Sequence, residues 1–464
     1  MIKIKEPELN LYYLTMYQQD KTFTRFIVLL ASVFVTLFVT TSFGSSPILV
    51  SNAHVLLKVD DVINRVKTHN LNRLIGKESV RRVLEQTYQR RAALLPRFSL
   101  SVDQSRQKLT RGLFSDVINV PPFNSSGSRL EASFSFINYQ LYADYRIAKL
   151  DHAVAEKDFL SLTDDYIEQA LFLYFTHLRD LRSAEIVSHN LEREQLLLEL
   201  AAKQFSAGVV VKIDVTRAEV RVASIRRALM EARITAESSA IELKSLLDFD
   251  LEKVVNLDLR AMEDMNPPQA IKRLANIDLV RKSRTEISSK LLLIEQAKLA
   301  KRASNWQRLP TVDFFANWGY DTDEVFNGEH GEAWFFGLRA TVPLWEGGRI
   351  AADKRYASAT LRQNEYEMRN LLNQIDREYK ISIMQMDSRY AQIEIAQDEL
   401  RLGRHEVELA LERYQEGLAD NRELIDAQKR LAEAERSHLN AHYMYCLSRL
   451  AFARSSGLVE KILE

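Results

Sequence analysis

Residues 349–416 read RIAADKRYASATLRQNEYEMRNLLNQIDREYKISIMQMDSRYAQIEIAQDELRLGRHEVELALERYQE, with no proline and no cluster of turn residues. Prolines and turn clusters normally end a helix, so their absence predicts one continuous helix over this stretch. At about 1.5 Å of rise per residue, that helix would be roughly 100 Å long. A compact globular domain does not need such a helix, and an extended helical architecture is therefore predicted.

The same stretch carries a coiled-coil pattern. Small and apolar residues recur at alternating spacings of three and four, which is the spacing of a helix seam that packs against a partner helix. The pattern comprises Ile393, Ala396, Leu400, Gly403, Val407, Ala410 and Tyr414, then Leu424, Ala427, Leu431, Ala434, His438, Ala441 and Tyr445, and in the first half Val215, Ala218, Val222, Ile225, Leu229, Ala232 and Ala236. Antiparallel hairpins are predicted, with Gly208 and Gly417 ending one helix of each because glycine accepts positive φ.

Elsewhere the apolar residues alternate with polar ones, which predicts half-buried strands. Four such strands are expected, with faces formed by Phe98, Leu100 and Val102; Leu130, Ala132, Phe134 and Phe136; Val312, Phe314, Ala316 and Trp318; and Phe336, Leu338, Ala340 and Val342. The polar stretches 124–128 and 321–331 are predicted to be hairpin loops between them.

The second half of the chain repeats the first. Three landmarks recur in order and at nearly constant separation: LLPRFSLSVD (94–103) with RLPTVDFFAN (308–317), QLYADYRIA (140–148) with PLWEGGRIA (343–351), and FSAGVVVKIDVTRAE (205–219) with YQEGLADNRELIDAQ (414–428). This order indicates a tandem duplication. We predict two repeats, 54–264 and 265–464, each with a helix, two strands and a long helical hairpin.

Residues 1–53 are predicted to be an N-terminal extension and signal peptide. Lys21 and Arg25 precede an apolar run from Phe26 to Phe43, and small residues follow, which is the order of a secretory signal. Cleavage after Gly44 or after Ala53 stays open, and Met16 is an alternative start. The competing interpretation is a membrane anchor, since the run is near the minimum spanning length. No later run is long enough to cross a bilayer as a helix, so a membrane-embedded part would have to use strands.

Composition and motifs exclude several function classes. Lys plus Arg number 63 and Asp plus Glu number 63, so no bulk charge favours nucleic acid. The single cysteine, Cys446, excludes an intramolecular disulfide and a cysteine-based zinc cluster. His438 and His442 are four residues apart, but no third metal ligand is evident. No phosphate loop or nucleophile motif occurs. We therefore predict no enzyme activity, no metal and no cofactor.

Taken together, these motifs resemble the TolC family of outer-membrane efflux and secretion channels, from about Val55 to Val459. The resemblance rests on VDDVINRVKTHN (59–70), the Leu-Leu-Pro before a strand, PLWEGGR before a long helix, and two turn glycines each followed six residues later by an acid. There is no lipid-attachment cysteine near the end of the signal, so the chain is similar to the non-lipidated branch. Asp144 and Tyr145 stand where the second repeat has two glycines, which predicts a different strand-to-helix bend.

The resemblance implies a mainly helical fold with a β-barrel part. Long antiparallel coiled-coil helices would form a trimeric α-barrel, continuous with a transmembrane β-barrel to which each protomer contributes four strands. The implied function is a passive exit duct of a tripartite efflux or type I secretion system, in the outer membrane and extending into the periplasm. Implied partners are two further copies, outer-membrane lipid, a periplasmic adaptor (membrane fusion) protein and an inner-membrane transporter.

The resemblance also implies functional residues. Phe98, Leu100, Phe134, Phe314, Trp318, Phe336 and Leu338 would face lipid, and Ser99, Ser101, Glu131 and Arg339 would face the pore. Glu423, Asp426, Asp214 and Tyr414 would form the periplasmic gate, and Gly208, Val209, Gly417 and Leu418 the tips that contact the adaptor. The arginine expected two residues after the second glycine is Ala419, so Arg413 or Arg422 would have to replace it in the latch.

Each of these assignments has a plainer alternative. Acidic residues favour the first turn of any helix, exposed arginines commonly solvate a helix, and glycines commonly make turns. A different function class also fits part of the pattern, namely a periplasmic coiled-coil scaffold or adaptor protein of an export machine. That alternative explains the heptads, but it does not explain four strands with outward phenylalanine, tryptophan and leucine.

Overall fold

The computed structural model describes residues 55–108, 110–113, 116–119, 122–208, 210–263, 266–322, 331–416, 418 and 421–459. The predicted signal peptide within residues 1–53 lies outside these ranges.

The first half contains β1 (Val55–Leu57), α1 (Val59–His69), α2 (Leu71–Ala92), β2 (Arg97–Gln107), β3 (Thr110–Leu113), β4 (Asp116–Asn119), β5 (Phe123–Ile137), α3 (Tyr139–Ser206), α4 (Lys212–Leu246), β6 (Val255–Leu257) and a 3-10 helix (Leu259–Met262). The second half contains α5 (Pro268–Lys272), α6 (Ile277–Ser283), α7 (Thr285–Trp306), β7 (Thr311–Thr322), β8 (Gly331–Thr341), α8 (Arg349–Gln415) and α9 (Asn421–Ser456).

The predicted long helix is confirmed, because α8 runs without interruption for 67 residues and its first-half counterpart α3 runs for 68. The two helices begin differently. Gly347 and Gly348 turn the chain into α8 with φ of 59° and 86°, whereas the side chain of Asn138 caps α3 by accepting the Leu141 N–H at 3.2 Å. None of the helices in the described ranges is both long and apolar enough to cross a bilayer.

Four antiparallel strands form the main sheet, in the order β2-β5-β7-β8, which confirms the four predicted strands. Two small additions were not predicted: a β3–β4 hairpin and a parallel β1–β6 pair.

The predicted hairpin loop at 124–128 is wrong, because these residues belong to β5 and pair with β2, from Asn124 opposite Arg106 to Ser128 opposite Val102. Polar side chains do not prevent pairing there, since the ladder uses backbone groups and the residues opposite are also mostly polar. Of the predicted loop at 321–331, Asp321 and Gly331 are paired strand residues, and 323–330 lie outside the described ranges.

The strand register gives the sheet one apolar face and one mainly polar face that also carries Phe315 and Phe335, because residues directly opposite each other in antiparallel strands share a face. One row joins Leu100, Leu130, Trp318 and Trp334, the next joins Phe98, Ala132, Ala316 and Phe336, and a third joins Phe134, Phe314 and Leu338. The other face carries Ser99, Ser101, Glu131, Asn317 and Arg339, and an Arg129–Asp321 ion pair of 2.8 Å. The residues predicted to face lipid therefore share one face of the sheet, and those predicted to face a pore share the other.

The long helices pack side by side along the predicted seams. Helix α3 packs on α4, α9 packs on α8, and α3 contacts α9, so the four helices form a row in the order α4, α3, α9, α8. The seam residues are buried between them, including Ala218, Val222, Ile225, Leu229, Ala236, Ala396, Leu400, Ala410 and Tyr414. A larger core where α1, α3, α4 and α9 meet contains Leu171, Tyr174 and Leu178.

Ion pairs hold the end of the chain to this framework. Arg454, near the end of α9, pairs with Asp165 of α3 at 2.6 Å and with Glu286 of α7 at 2.8 Å. The buried Arg284 donates to the carbonyl oxygens of Arg454 and Ser455, both at 3.2 Å. These bonds satisfy carbonyl groups at the helix end that have no partner within the helix.

Differences in burial along α3 predict at which positions replacement of a leucine by alanine destabilises the protein. Leu171 is fully buried, whereas Leu196 of the same helix is 66% exposed. We expect Leu171→Ala to lower the free energy of unfolding by about 2–5 kcal/mol, since it leaves a cavity in the core. Leu196→Ala is the matched control and is expected to change it by less than about 0.5 kcal/mol. Thermal unfolding of the purified protein measures both, and equal losses would contradict this packing.

A buried histidine predicts a pH dependence of stability. His177 of α3 lies 3.1 Å (Nδ1) from Ser239 Oγ of α4, and burial lowers its pKa, with Asp180 opposing the effect. The unfolded chain therefore binds this proton more readily, so the free energy of unfolding should fall as the pH falls through about 6.5. Unfolding measured between pH 7.5 and pH 5.5 should show a smaller pH slope for His177→Gln than for the unaltered chain. If His177→Gln leaves the pH slope of the free energy of unfolding unchanged, the pH dependence comes from other titratable groups.

Candidate functional site

The candidate site lies where the two long helical hairpins turn. In the first hairpin Gly208 has φ of 75°, and its N–H donates to the Phe205 carbonyl oxygen at 3.0 Å. No atom lies within 4 Å of where a Cβ would be, so the backbone conformation, and not lack of space, favours glycine. In the second hairpin the Leu418 N–H donates to the Arg413 carbonyl oxygen at 2.8 Å, which closes the turn in the manner of a Schellman motif. Val209, Gly417 and Ala419 lie outside the described residues.

Apolar side chains are exposed near both turns. Leu418 is 67% exposed, and Phe205, Val211 and Ile213 are exposed around the first turn. Water-exposed apolar groups clustered at the end of a structure indicate a contact surface. Of the four residues predicted to contact an adaptor, the described ones are Gly208 and Leu418, and both are at these turns.

The predicted gate acids lie near the starts of the helices that follow the hairpin turns: Asp214 and Glu423 in the first turns of α4 and α9, and Asp426 in the second turn of α9. Glu423 and Asp426 are three residues apart on α9, so they are neighbours along one side of the helix. Glu423 Oε1 lies 3.2 Å from Arg413 Nε across the turn, and Asp426 is exposed. Asp214, the first-hairpin counterpart, pairs with Arg217 of its own helix at 3.2 Å. Glu423 and Asp426 are exposed, whereas the Asp214 side chain is only 17% exposed. Glu423 and Asp214 are each paired with an arginine within one chain.

Tyr414 joins the two hairpins. Its ring is buried with Ala410, Leu424 and Ala427, and Leu197 and Leu200 of α3 pack against this cluster. Burial raises the pKa of Tyr414, and the negative charge of Asp214 raises it further, so the structure brings these two predicted residues close together. Its hydroxyl has no hydrogen-bond partner among the described residues. Arg413, one of two suggested replacements for the missing latch arginine, pairs with Glu423 in this structure.

Ion pairs between the hairpins were missed by the sequence analysis. Arg193 of α3 binds both oxygens of Glu435 of α9, at 2.7 and 3.1 Å. Within the second hairpin, Arg430 Nε donates to Glu406 at 2.9 Å. The heptad pattern shows that these positions flank the seams, where charged side chains commonly pair across helices. It does not show which acid faces which base, because that depends on the relative height of two helices distant in sequence.

The two histidines considered as metal ligands lie in a cleft of about 370 Å³ between α3, α8, α9 and the 3-10 helix, also lined by Arg182, His189, Glu263 and Arg404. The rings of His438 and His442 are 4.7 Å apart, and His442 Nδ1 lies 3.1 Å from the Met262 carbonyl oxygen. Burial lowers the pKa of His438, and His442 and Arg404 lower it further. In the described part of the chain, no group of three or more His, Cys, Asp or Glu residues is placed to hold a metal ion.

The chain has measurable similarity to curated proteins. It is 23% identical to the alkaline protease secretion protein AprF of Pseudomonas aeruginosa over 377 residues, which cover 78% of this chain and 77% of that protein. It is 22% identical to the toluene efflux pump outer membrane protein TtgF of Pseudomonas putida over 382 residues, which cover 79% and 76%.

Solved structures share the fold. The CmeC outer membrane channel of Campylobacter jejuni matches with a TM-score of 0.74 and 18% identity, over 86% of each chain. The outer membrane protein VceC of Vibrio cholerae matches with a TM-score of 0.72 and 17% identity, over 86% of this chain and 96% of that one.

Both halves of the chain also match the model of a known protein family. Residues 77–248 and 276–458 both match the outer membrane efflux protein family, so each half of the chain contributes a match. Together they span well over half of the sequence. The chain therefore belongs to the outer membrane efflux protein family, which confirms the predicted resemblance to TolC-like outer-membrane channels.

Proposed function

We propose that the chain is one subunit of a trimeric exit duct that crosses the outer membrane and extends into the periplasm. The observation that carries this proposal is the main sheet, which exposes an apolar face and whose edge strands, β2 and β8, each have one unpaired side among the described residues. In lipid, an open edge would leave backbone N–H and C=O groups without partners. Pairing of β8 of one copy with β2 of the next removes these edges, and the apolar face then meets lipid while the polar face lines the pore.

The partners follow from the relatives. AprF is named as a secretion protein and TtgF as the outer membrane protein of an efflux pump, which supports a place in a type I secretion or efflux system. The sequence contains no phosphate loop and no nucleophile motif, so the energy for transport would come from an inner-membrane transporter acting through a periplasmic adaptor. The duct itself would be a passive channel and not an enzyme.

The alternative function, a periplasmic scaffold or adaptor protein, is less well supported. A scaffold in water would have no reason to expose Phe98, Trp334, Phe336 and Leu338 on one face of a sheet, where they are all more than half exposed. The helices are compatible with both functions, so the evidence that distinguishes a duct from a scaffold is the exposed apolar face of the sheet.

The proposed repeats, 54–264 and 265–464, are supported by the lengths of matching elements. Helices α2 and α7 both have 22 residues, α3 and α8 have 68 and 67, and α4 and α9 have 35 and 36. The boundary between 264 and 265 falls outside the described residues.

We assign the gate to the hairpin turns. Glu423 and Asp426 of each subunit would surround the periplasmic opening, where their charge attracts cations and disfavours anions. Asp214 adds a carboxylate from the neighbouring hairpin, and Tyr414 positions the two hairpins by packing between them. The exposed apolar turn residues, with Gly208, Val209, Gly417 and Leu418 at the tips, would receive the adaptor.

Electron microscopy tests the duct. The full-length chain is expressed with its N-terminal segment, membranes are fractionated, and the detergent-purified particle is imaged. The expected particle is a trimer from the outer membrane, at least about 100 Å long because α3 and α8 are each of that length. A monomeric particle, or one from the soluble or inner-membrane fraction, would overturn the proposal and favour the scaffold.

Bilayer recordings test the gate. Glu423→Ala combined with Asp426→Ala should lower the permeability of potassium relative to chloride, because the opening loses two carboxylates per subunit. Glu433→Ala is the control, since Glu433 is an exposed acid of the same helix about two to three turns further from the tip. A selectivity that is unchanged by the double substitution, or equally changed by the control, would remove the gate assignment.

A further inference from the structure

The segment between β8 and α8 exposes two large apolar side chains. Leu344 is 94% exposed and Trp345 is 87% exposed, and both lie between Thr341, where β8 ends, and Arg349, where α8 begins. Tryptophan is enriched at membrane–water interfaces, where its ring contacts acyl chains and its N–H reaches water. In a sheet that crosses a membrane, Trp345 therefore marks the level at which the acyl chains end and the lipid headgroups begin.

The strand register places the ends of α2 and α7 at the same level. Thr311, at the start of β7, lies opposite Thr341, and Arg97, at the start of β2, lies opposite Ser133 near the end of β5. Strand β8 has 11 residues, and about 9–11 tilted residues cross the hydrocarbon core of a bilayer. Helices α2 and α7 lead into β2 and β7, so both helices end just outside the hydrocarbon core.

These two helices end with basic residues only. Residues 86–97 contain three arginines, residues 296–310 contain two lysines and two arginines, and neither stretch contains an acid. Arg97 belongs to the polar face of the sheet, because side chains alternate along β2. The other arginines are exposed, and together we call them the basic collar: Arg90, Arg91, Arg302 and Arg308.

The basic collar has no counter-charge within the described part of the chain. None of its four arginines forms an ion pair or a side-chain hydrogen bond with another described residue. Arg349, at the other side of the same junction, pairs with Glu346 and, at 3.0 Å, with Asp353. The helix that leads out of the sheet thus contains acids beside its arginine, whereas the helices that lead in contain none. Four like charges without acids nearby attract an anionic partner.

We propose that the basic collar binds the headgroups of anionic phospholipids in the periplasmic leaflet of the outer membrane. This inference rests on the proposed duct and adds the class of lipid that its periplasmic end selects. Basic residues clustered beside a membrane-spanning segment favour anionic lipids, and a guanidinium group can form two parallel hydrogen bonds with one phosphate. Arg91 and Arg302 lie within about 6 Å of their helix ends, a distance that the long arginine side chain can bridge.

The position of the collar favours a lipid over a soluble anion. The apolar face of the sheet begins directly beyond it, and Phe98 and Leu338, near that end of β2 and β8, are both more than half exposed. One phospholipid molecule would contact the collar with its phosphate and these side chains with its acyl chains. A soluble anion would make only the first of these contacts, and exposed charges bind such ions weakly.

Tryptophan quenching tests the lipid preference. Trp306→Phe, Trp318→Phe and Trp334→Phe leave Trp345 as the single tryptophan of the chain. This chain is reconstituted in phosphatidylcholine vesicles that contain an equal mole fraction of brominated phosphatidylglycerol or of brominated phosphatidylcholine. We expect phosphatidylglycerol to associate about fivefold more strongly, which corresponds to the attraction of one basic side chain to an anionic membrane surface.

Replacement of the collar should remove this preference. Arg90→Gln with Arg91→Gln, and Arg302→Gln with Arg308→Gln, should each reduce it, and the four substitutions together should abolish it. The matched control is Arg226→Gln with Arg233→Gln, since both are exposed arginines of α4, which follows the turn at the end of α3 furthest from the sheet. This control should keep the full preference.

Two further measurements do not depend on the tryptophan substitutions. An increase from about 0.1 M to about 1 M NaCl shortens the Debye length from about 10 Å to about 3 Å, so it should weaken the preference of the otherwise unaltered chain for phosphatidylglycerol. Mass spectrometry of lipids that remain bound to the detergent-purified chain should show more phosphatidylglycerol per subunit than for the variant without the four collar arginines.

The outcomes separate this inference from the proposed function. If the chain forms a trimer in the outer membrane but both brominated lipids quench Trp345 equally, or neither quenches it, the inference is wrong and the duct stands. The inference is also wrong if the four collar substitutions keep the lipid preference and instead change the permeability of potassium relative to chloride, because the collar then lines the pore. A chain that does not form a membrane-embedded trimer would overturn the duct, and this inference with it.

Discussion

Most of the stability of a helix in a protein comes from packing of its apolar side against other elements, so helices of about 100 Å need neighbours along much of their length. Most features of this chain follow from that constraint. The seams between α3 and α4 and between α8 and α9 contain small residues such as Ala218, Gly403 and Ala410, which let the helices approach closely. Burial between helices is therefore spread over the full length of each hairpin, and only one end gathers a larger core.

The main sheet, whose strands β5 and β8 lead into α3 and α8, faces a related constraint. Among the described residues its strands pair in a simple antiparallel order that leaves β2 and β8 at the two edges, and α4 and α8 expose apolar side chains such as Val220 and Ile395. In the proposed ring, pairing between neighbouring copies would remove both edges of the sheet.

The candidate site depends on where the hairpins end. Glycine permits the tight first turn, the first turns of the following helices carry Asp214 and Glu423, and Tyr414 packs between the hairpins. The resemblance to the channel family, with residues counted from each glycine, suggested these site residues before the structure was known. Their partners could not, because the Arg413–Glu423 pair and the approach of Asp214 to Tyr414 require the geometry of two hairpins packed together.

Local sequence patterns predicted most of the secondary structure, including the uninterrupted α8, the four strands of the main sheet and the seams, because such patterns depend on neighbouring residues. The short strands β1, β3, β4 and β6 were not predicted. The prediction of a loop at residues 124–128 was wrong. These residues are polar, but their backbone pairs with β2 and they belong to strand β5. Only the tertiary structure decided the strand order, the ion pairs between hairpins and which apolar side chains stay exposed. These features depend on contacts between residues far apart in sequence. A local sequence pattern does not show which distant helix or strand will pack against it.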